Sequence, residues 1–401
     1  MICIYEDEVL DRLSPLVDLR PVFDLRCGRF TLLEKVRRLY PGEKVFLWVR
    51  DELRDLCAET HPDCRVNVPV KQGRLFLSAR AILDEPVLPN GRESVLMAGD
   101  EVVGFRLCAE CAVNLSSLAG LRATLAEEQV KARVVRYPWD LVEFNHRELE
   151  RECRPGRQVR GQRAKGKGQN AGTVVGNQSL LYVAPGVRIW PNVVISTEIG
   201  PVFLDRDTVI RPGSFVEGPC YVGPGTVIDG AMVRPGCSFG PMCRIGGEVE
   251  ASVFQGFSNK HHDGFIGHSF IGEWVNLGAL TTNSDLKNAY EPVRVFFDSK
   301  PVDTGLLKVG CFIGDHVKTA IGTLLNSGTR VGSFANWFEP GLSPREIPAF
   351  AWGVKARGRL DQVLGIARTV MARRGIELSP AYEGVLRGMY RASSRQRKQG
   401  E

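Results

Sequence analysis

A long apolar run is missing from the start of this chain, where MICIYEDEVLDRL breaks up its apolar residues with acids. Neither a signal peptide nor a membrane span is expected there, since both need a sustained hydrophobic stretch. A second well-spaced cysteine pair is missing too. Cys108 and Cys111 form one C-x-x-C, and Cys57 and Cys64 lie upstream, whereas a structural zinc site normally draws four ligands from two close pairs. The 11 cysteines are odd in number and scattered, so the expectation is a cytoplasmic protein with reduced thiols. The stretch RPGRQVRGQRAKGKGQ contributes Arg154, Arg157, Arg160, Arg163, Lys165 and Lys167 but no acid and no aromatic. Single-stranded nucleic acid is usually held by cations interleaved with stacking rings. Without those rings the segment reads as a solvated linker, and no nucleic-acid partner is expected.

What the chain does have is a period of six. Leu204, Ile210, Val216, Val222 and Ile228 recur at that spacing, with Gly, Pro or Asp filling most intervals. The pattern slips by one residue and continues through Val233, Phe239 and Ile245, then Ile271 and Leu277, then Ile313, Thr319, Leu325 and Val331. Six matches neither a helix nor an alternating strand; it is the repeat of a triangular β-helix, one rung per prism face. The aliphatic residue of each rung points inward, and Gly or Pro turns the corner. Residues 175–353 are assigned to this solenoid. The pattern fails from Ser284 to Leu307, an insertion expected to form a binding wall.

Residues 1–150 read as an α/β unit. Ile2–Tyr5 and Val45–Val49 have the length and composition of buried strands. Thr31 and Glu34 make a capping-box pair, and the two apolar runs around Gly99 and Asp100 suggest a hairpin. Residues 151–174 form the basic linker. After Trp352 the spacing of Leu360, Val363, Leu364, Ala367, Val370 and Met371 becomes helical. Ser379 and Pro380 suit the start of another helix. Residues 354–401 are therefore expected to cap the open end of the solenoid.

The densest polar segment of the repeat runs from Ser258 to Asn288 and holds His261, His262 and His268 beside Lys260, Asn276 and Asn283. An imidazole titrates near neutrality and can take a proton from an amine, which makes a histidine here the candidate general base. His268 reads better as a surface residue at a rung corner.

This segment resembles the acetyltransferase half of the bifunctional N-acetylglucosamine-1-phosphate uridyltransferase/glucosamine-1-phosphate acetyltransferase family. Its run K-A-G-H-L-T-Y-L-G-(x4)-G-(x3)-N-I-G-A-G-T is matched without a gap from His262 through Gly267, Gly272 and Asn276 to Ala279. The resemblance implies a left-handed β-helix acting as a homotrimer, with His262 as catalytic base. It implies acetyl-CoA held at Asn276, Ala279 and Ala320, with the Ala279 amide facing the thioester oxygen. It implies an amino-sugar phosphate, glucosamine 1-phosphate favoured, near Lys260, Asn283 and Lys287. Departures are Phe265 for a tyrosine, Ser284 for an aromatic, and Glu250 for a lysine.

The first half resembles a divergent sugar nucleotidyltransferase domain on three segments: Arg20 to Leu32, Ser78 to Arg80, and Pro138 to Asn145. The fold class expected is thus an α/β nucleotidyltransferase-like domain followed by a left-handed parallel β-helix and a C-terminal helical cap. The glycine-rich phosphate loop of such domains is replaced by Asp18-Leu-Arg20-Pro. Arg20, Arg26 and Lys35 are the expected triphosphate ligands, since guanidinium matches phosphate geometry. Asn145 is the expected metal-side residue for Mg2+, with UTP or another NTP as substrate and UDP-N-acetylglucosamine as product. Two alternatives stay open. One is an acyltransferase with a silent nucleotide-sugar-binding first half. The other is a non-enzymatic trimeric scaffold or a zinc solenoid using His262 and His268, for which no third ligand sits one coil away.

Overall fold

The computed structural model describes residues 1–69, 75–107, 118, 120–153 and 172–399. Cys108, Cys111 and the basic stretch lie outside the described residues. Every described cysteine is free.

The first half is built on a seven-stranded sheet. Its strands are β1 (Ile2–Tyr5), β2 (Val45–Trp48), β3 (Arg65–Val66), β4 (Leu75–Ser78), β5 (Ser94–Ala98), β6 (Glu101–Arg106) and β7 (Ala126–Gln129), in the order β7-β5-β6-β4-β1-β2-β3. β1 pairs in parallel with β2 and β4. β5 and β6 form the hairpin read from the sequence. Helix α1 (Leu32–Leu39) opens with the full capping box of Thr31 and Glu34. Helices α2 (Arg54–Thr60) and α3 (Pro138–Glu152) follow, the latter with Pro138 in its first turn, where a missing N–H does no harm.

The second half is a left-handed parallel β-helix. Three sheets wind around it: a nine-strand face from Leu181–Val183 to Glu346–Ile347, a five-strand face from Arg188–Ile189 to Asn259–Lys260, and a six-strand face from Thr173–Val175 to Phe265–Gly267. All the hexad residues named above are buried, in one core column per face. On the nine-strand face that inward column runs Val183, Leu204, Val222, Phe239, Phe254, Ile271, Ile313, Val331 and Ile347.

The outward column of the same face should meet water, yet it carries Phe203, Tyr221, Val253, Phe270 and Phe312, all buried. The α/β half covers them. The Arg29 guanidinium lies 3.6 Å from the Phe203 ring centre. Trp139 of α3 packs on Phe312 with ring centres 6.2 Å apart. One hydrophobic core therefore runs from the α/β sheet into the solenoid.

One expectation needs correcting and one extending. The insertion makes no open wall: its hairpin, Arg294–Phe297 with Lys300–Asp303, packs Phe297 against Tyr137 and Trp139 of the α/β half. Val293 and Val295 are apolar enough to join the shared core, and the insertion is a clasp. The C-terminal helices α4 (Leu360–Ala372) and α5 (Pro380–Gln399) also do more than close an end. They run back along one corner of the prism. There Phe257, Trp274, His316, Phe334 and Phe350 stack coil upon coil, all at positive φ, from 54° at Phe257 to 62° at Phe334. Such a backbone strains a bulky residue, and the ring-on-ring packing offsets that strain. Tyr382 and Tyr390 of α5 meet His316 and Phe350 on this column.

Candidate active site

The polar coil begins on the five-strand face. Asn259–Lys260 is its last strand, and Asn276 and Lys318 continue the parallel pairing on the next two coils. The bridge Asn259–Asn276 and the bond from Leu280 N to Asp263 O (2.8 Å) bracket His262 and Ala279, making them direct neighbours on successive coils at the same corner. Neighbouring strands lie about 4.8 Å apart. The exposed His262 ring sits 5.2 Å, centre to centre, from the His261 ring and has no hydrogen-bond or ion-pair partner among the described residues. His261 is engaged: its Nε2 lies 2.9 Å from Asp229, which also pairs with Arg211 at 2.7 Å. The Ala279 N–H has no acceptor among the described residues, while the Ala279 carbonyl accepts from Gly322 N at 2.8 Å. A free imidazole and a free backbone donor thus stand one coil apart, which suits a base and an oxyanion ligand.

The other expected ligands divide. Asn276 is exposed on the face, with its Oδ1 3.4 Å from Asn259 Nδ2. Ala320 spends its N–H on Trp337 O at 2.9 Å, so only its methyl group faces a ligand. Asn283 points inward. Its Oδ1 accepts from Gly267 N at 2.9 Å, and its Nδ2 donates to Gly267 O at 3.1 Å and Ser284 O at 3.0 Å. That amide is spent on the solenoid wall and does not reach a sugar. Lys260 also points inward and is 1% exposed, so it too is removed from the ligand set. Lys287 Nζ bonds Pro292 O at 2.6 Å within the insertion. His268, read as a corner surface residue, pairs its Nδ1 with Asp285 at 2.8 Å.

The positive charge near His262 comes from residues that the hexad pattern does not single out. Arg374, at the end of α4, donates to Asn259 Oδ1 at 3.0 Å. Arg244 pairs with Asn259 in strand register and donates only to main-chain carbonyls. Lys318 donates to His316 O at 3.0 Å, and burial pushes its ammonium down to about 8. None of the three has an acidic partner among the described residues. Arg244, Asn259, Asn276 and Lys318 follow one another in one outward row, a strip of donors about 14 Å long at the spacing of parallel strands.

The expected triphosphate site is corrected by the geometry. Arg20 pairs with Asp315 at 2.6 Å and Glu273 at 3.2 Å on the solenoid. Lys35 is buried between Glu148 and Glu152 of α3. Arg26 is buried, its guanidinium 5.6 Å from the Tyr221 ring centre and its main-chain N–H donating to Gln255 Oε1 at 3.0 Å. Asn145 is 0% exposed: Oδ1 accepts from Gly28 N at 2.6 Å and Ser238 Oγ at 3.0 Å, and Nδ2 donates to Gly236 O at 2.8 Å. An amide so committed does not fit a magnesium site. The loop after β1 is likewise docked. Asp18 accepts from Ser333 Oγ at 2.8 Å, and Arg330 donates to Ser14 O at 3.1 Å. At the carboxyl ends of β1 and β4, Asp7 accepts from Ser78 Oγ at 3.1 Å and pairs with Arg80.

Residues 2–156 match the family model described as sugar nucleotidyl transferase. A bifunctional sugar-1-phosphate nucleotidylyltransferase/acetyltransferase of Sulfurisphaera tokodaii is 32% identical over 156 residues, covering 37% of this chain and 38% of that protein. A bifunctional protein GlmU of Methanocaldococcus jannaschii is 37% identical over 86 residues, 21% of each chain. The matches thus span well under half the length of these relatives. A crystal structure of an Arabidopsis UDP-N-acetylglucosamine acyltransferase covers 51% of this chain and 75% of its own at 13% identity, with a TM-score of 0.25. The chain thus joins a sugar nucleotidyl transferase domain to a β-helix, and parts of it are similar to bifunctional nucleotidylyltransferase/acetyltransferase proteins.

Proposed function

We propose that this protein transfers an acetyl group from acetyl-CoA to the amine of an amino-sugar phosphate, glucosamine 1-phosphate favoured, and couples the product to UTP, giving UDP-N-acetylglucosamine. The observation that carries the first reaction is the unpartnered His262 ring one coil from the unpartnered Ala279 N–H. His262 takes a proton from the amine as nitrogen attacks the thioester carbonyl. The Ala279 N–H bonds the oxygen that gains charge, and the imidazolium returns its proton to the departing sulfur. Arg244, Arg374 and Lys318 give the face the positive field that a phosphorylated ligand needs. Leu280, Ile321 and Phe338 leave 55%, 77% and 45% of their surface open at that same corner, which favours a homotrimer whose next copy covers it. No described helix is long and apolar enough to cross a membrane. Replacing His262 by Ala in the full chain is expected to abolish acetyl-CoA-dependent acetylation across a panel of amino-sugar phosphates; retained activity overturns the base assignment.

A second reading, in which the α/β half binds a nucleotide sugar without turning it over, is favoured by the docking of the loop after β1 onto the solenoid. Pyrophosphate release from UTP and N-acetylglucosamine 1-phosphate with magnesium separates the two. Release supports nucleotidyl transfer, and none with any nucleotide tried leaves the silent module.

A further inference from the structure

The inward column of the five-strand face reads Ile189, Ile210, Ile228, Ile245 and then Lys260, with Leu277 on the next coil. A lysine at an aliphatic position of a solenoid core calls for a reason. Burying an ammonium without a carboxylate destabilises a fold, and an isoleucine or methionine there would pack against Ile245 and Leu277 with no such penalty. Lys260 has no ion-pair partner among the described residues, and burial pushes it down to about 8. Its Nζ donates to two carbonyl oxygens: that of Gly246 on the preceding coil, at 3.1 Å, and that of His262 itself. The space for this contact depends on Gly247, which sits at φ +63°. A Cβ there would stand 2.7 Å from Lys260 Nζ and 2.9 Å from His262 O.

Residues 261–263 form an exposed corner. The main-chain N–H and the ring of His262 make no bond to the described residues, so the carbonyl held by Lys260 is the one point at which the interior grips this residue. We infer that Lys260 is a positioning residue of the acetyl-transfer site: from inside the prism its ammonium fixes the His262 carbonyl, and with it the direction in which the imidazole leaves the corner. Charge-assisted bonds of this kind are short and directional. The chain accepts a less stable core at this coil to fix one side chain on its surface, the kind of local violation that functional sites display. The inference rests on His262 being the base.

The test uses the full chain and four proteins: wild type, Lys260→Met, His262→Ala and the double variant. Lys260→Met is expected to unfold at no lower temperature than wild type. Its kcat for acetyl transfer should fall about 10- to 100-fold, with KM for acetyl-CoA and for the sugar phosphate within about twofold, since an off-axis base slows chemistry without weakening binding. The double variant should be no slower than His262→Ala, because Lys260 acts through His262. Wild-type kcat in Lys260→Met, with His262→Ala inactive, overturns the role of Lys260 alone. Full activity in His262→Ala overturns the reading of the site as a whole. Should Lys260→Met fail to fold, Lys260→Ile, which repeats the residue at 245, takes its place; failure of both makes Lys260 a structural staple and overturns the proposal.

Discussion

Arg20 of the α/β half and Asp315 of the β-helix meet at 2.6 Å with both side chains almost wholly enclosed. Burial pushes the Asp315 carboxyl up to about 6 even though Arg20 pulls it down. Removing the cation alone strands a buried carboxylate, which typically costs about 3–5 kcal/mol. Arg20→Met is therefore expected to lower the free energy of unfolding by about that amount in urea. Arg20→Met with Asp315→Asn should lose less than the two single changes summed.

Phe312 faces outward from the solenoid, where truncation of a solvated side chain would be nearly silent. Because Trp139 covers it, Phe312→Ala should cost about 3–5 kcal/mol, the usual range for a core aromatic. A denaturation midpoint that barely moves would mean that the α/β half does not rest on this face in solution.

Asn145 links Gly28, Gly236 and Ser238 across the junction. Asn145→Ala leaves buried partners unmet at about 1–3 kcal/mol each. The loss of stability should be the same with and without Mg2+. A loss seen only in the presence of the ion would restore the metal role.

Lys260 has its ammonium pushed from 10.5 to about 8 by burial. Between those values the unfolded chain binds more protons than the folded one, so stability rises with pH through that window and the penalty is fully present below pH 8. Lys260→Met removes this contribution. Its advantage over wild type should shrink steadily from pH 8 to about pH 10.5, read by thermal unfolding in matched buffers.

Among the described residues, Arg374 touches the proposed site only through Asn259. Arg374→Met should raise KM for the phosphate-bearing ligand about tenfold or more, the value of a hydrogen bond to a charged group. Unfolding should shift by under about 0.5 kcal/mol. Comparing glucosamine 1-phosphate with glucosamine, and acetyl-CoA with its 3′-dephospho form, identifies which phosphate is held.

The solenoid was legible because a period of six leaves a mark on every rung, and Leu204, Ile228 and Val331 all fill the interior as that period requires. The corner holding His262 and Ala279 was legible because the spacing of 17 residues between them survives as strand register. Lys260 and Asn283 misled because a polar residue in sequence carries no sign of whether it points in or out. The hexad period does assign both to inward positions, Lys260 one rung after Phe254 and Asn283 one rung after Leu277, and following it strictly would have removed them from the ligand set. Arg20, Arg26, Lys35 and Asn145 misled for a different reason. Cations and an amide in a nucleotidyltransferase-like segment look like phosphate and metal ligands, whereas here Arg20, Lys35 and Asn145 bond residues 295, 113 and 117 positions away in the chain. The one available cue was the run of aromatic residues in the outward column at Phe203, Tyr221, Phe270 and Phe312, which a solvated face does not need.

That aromatic column also decides how far the protein can be taken apart. An isolated fragment of residues 172–399 would retain every rung yet bare an apolar strip, interrupted at Ser238, on its longest side, flanked by a hairpin with nothing left to grip. Such a truncation is expected to be sticky and to self-associate rather than behave as a portable module, so the two halves are best regarded as one folding unit.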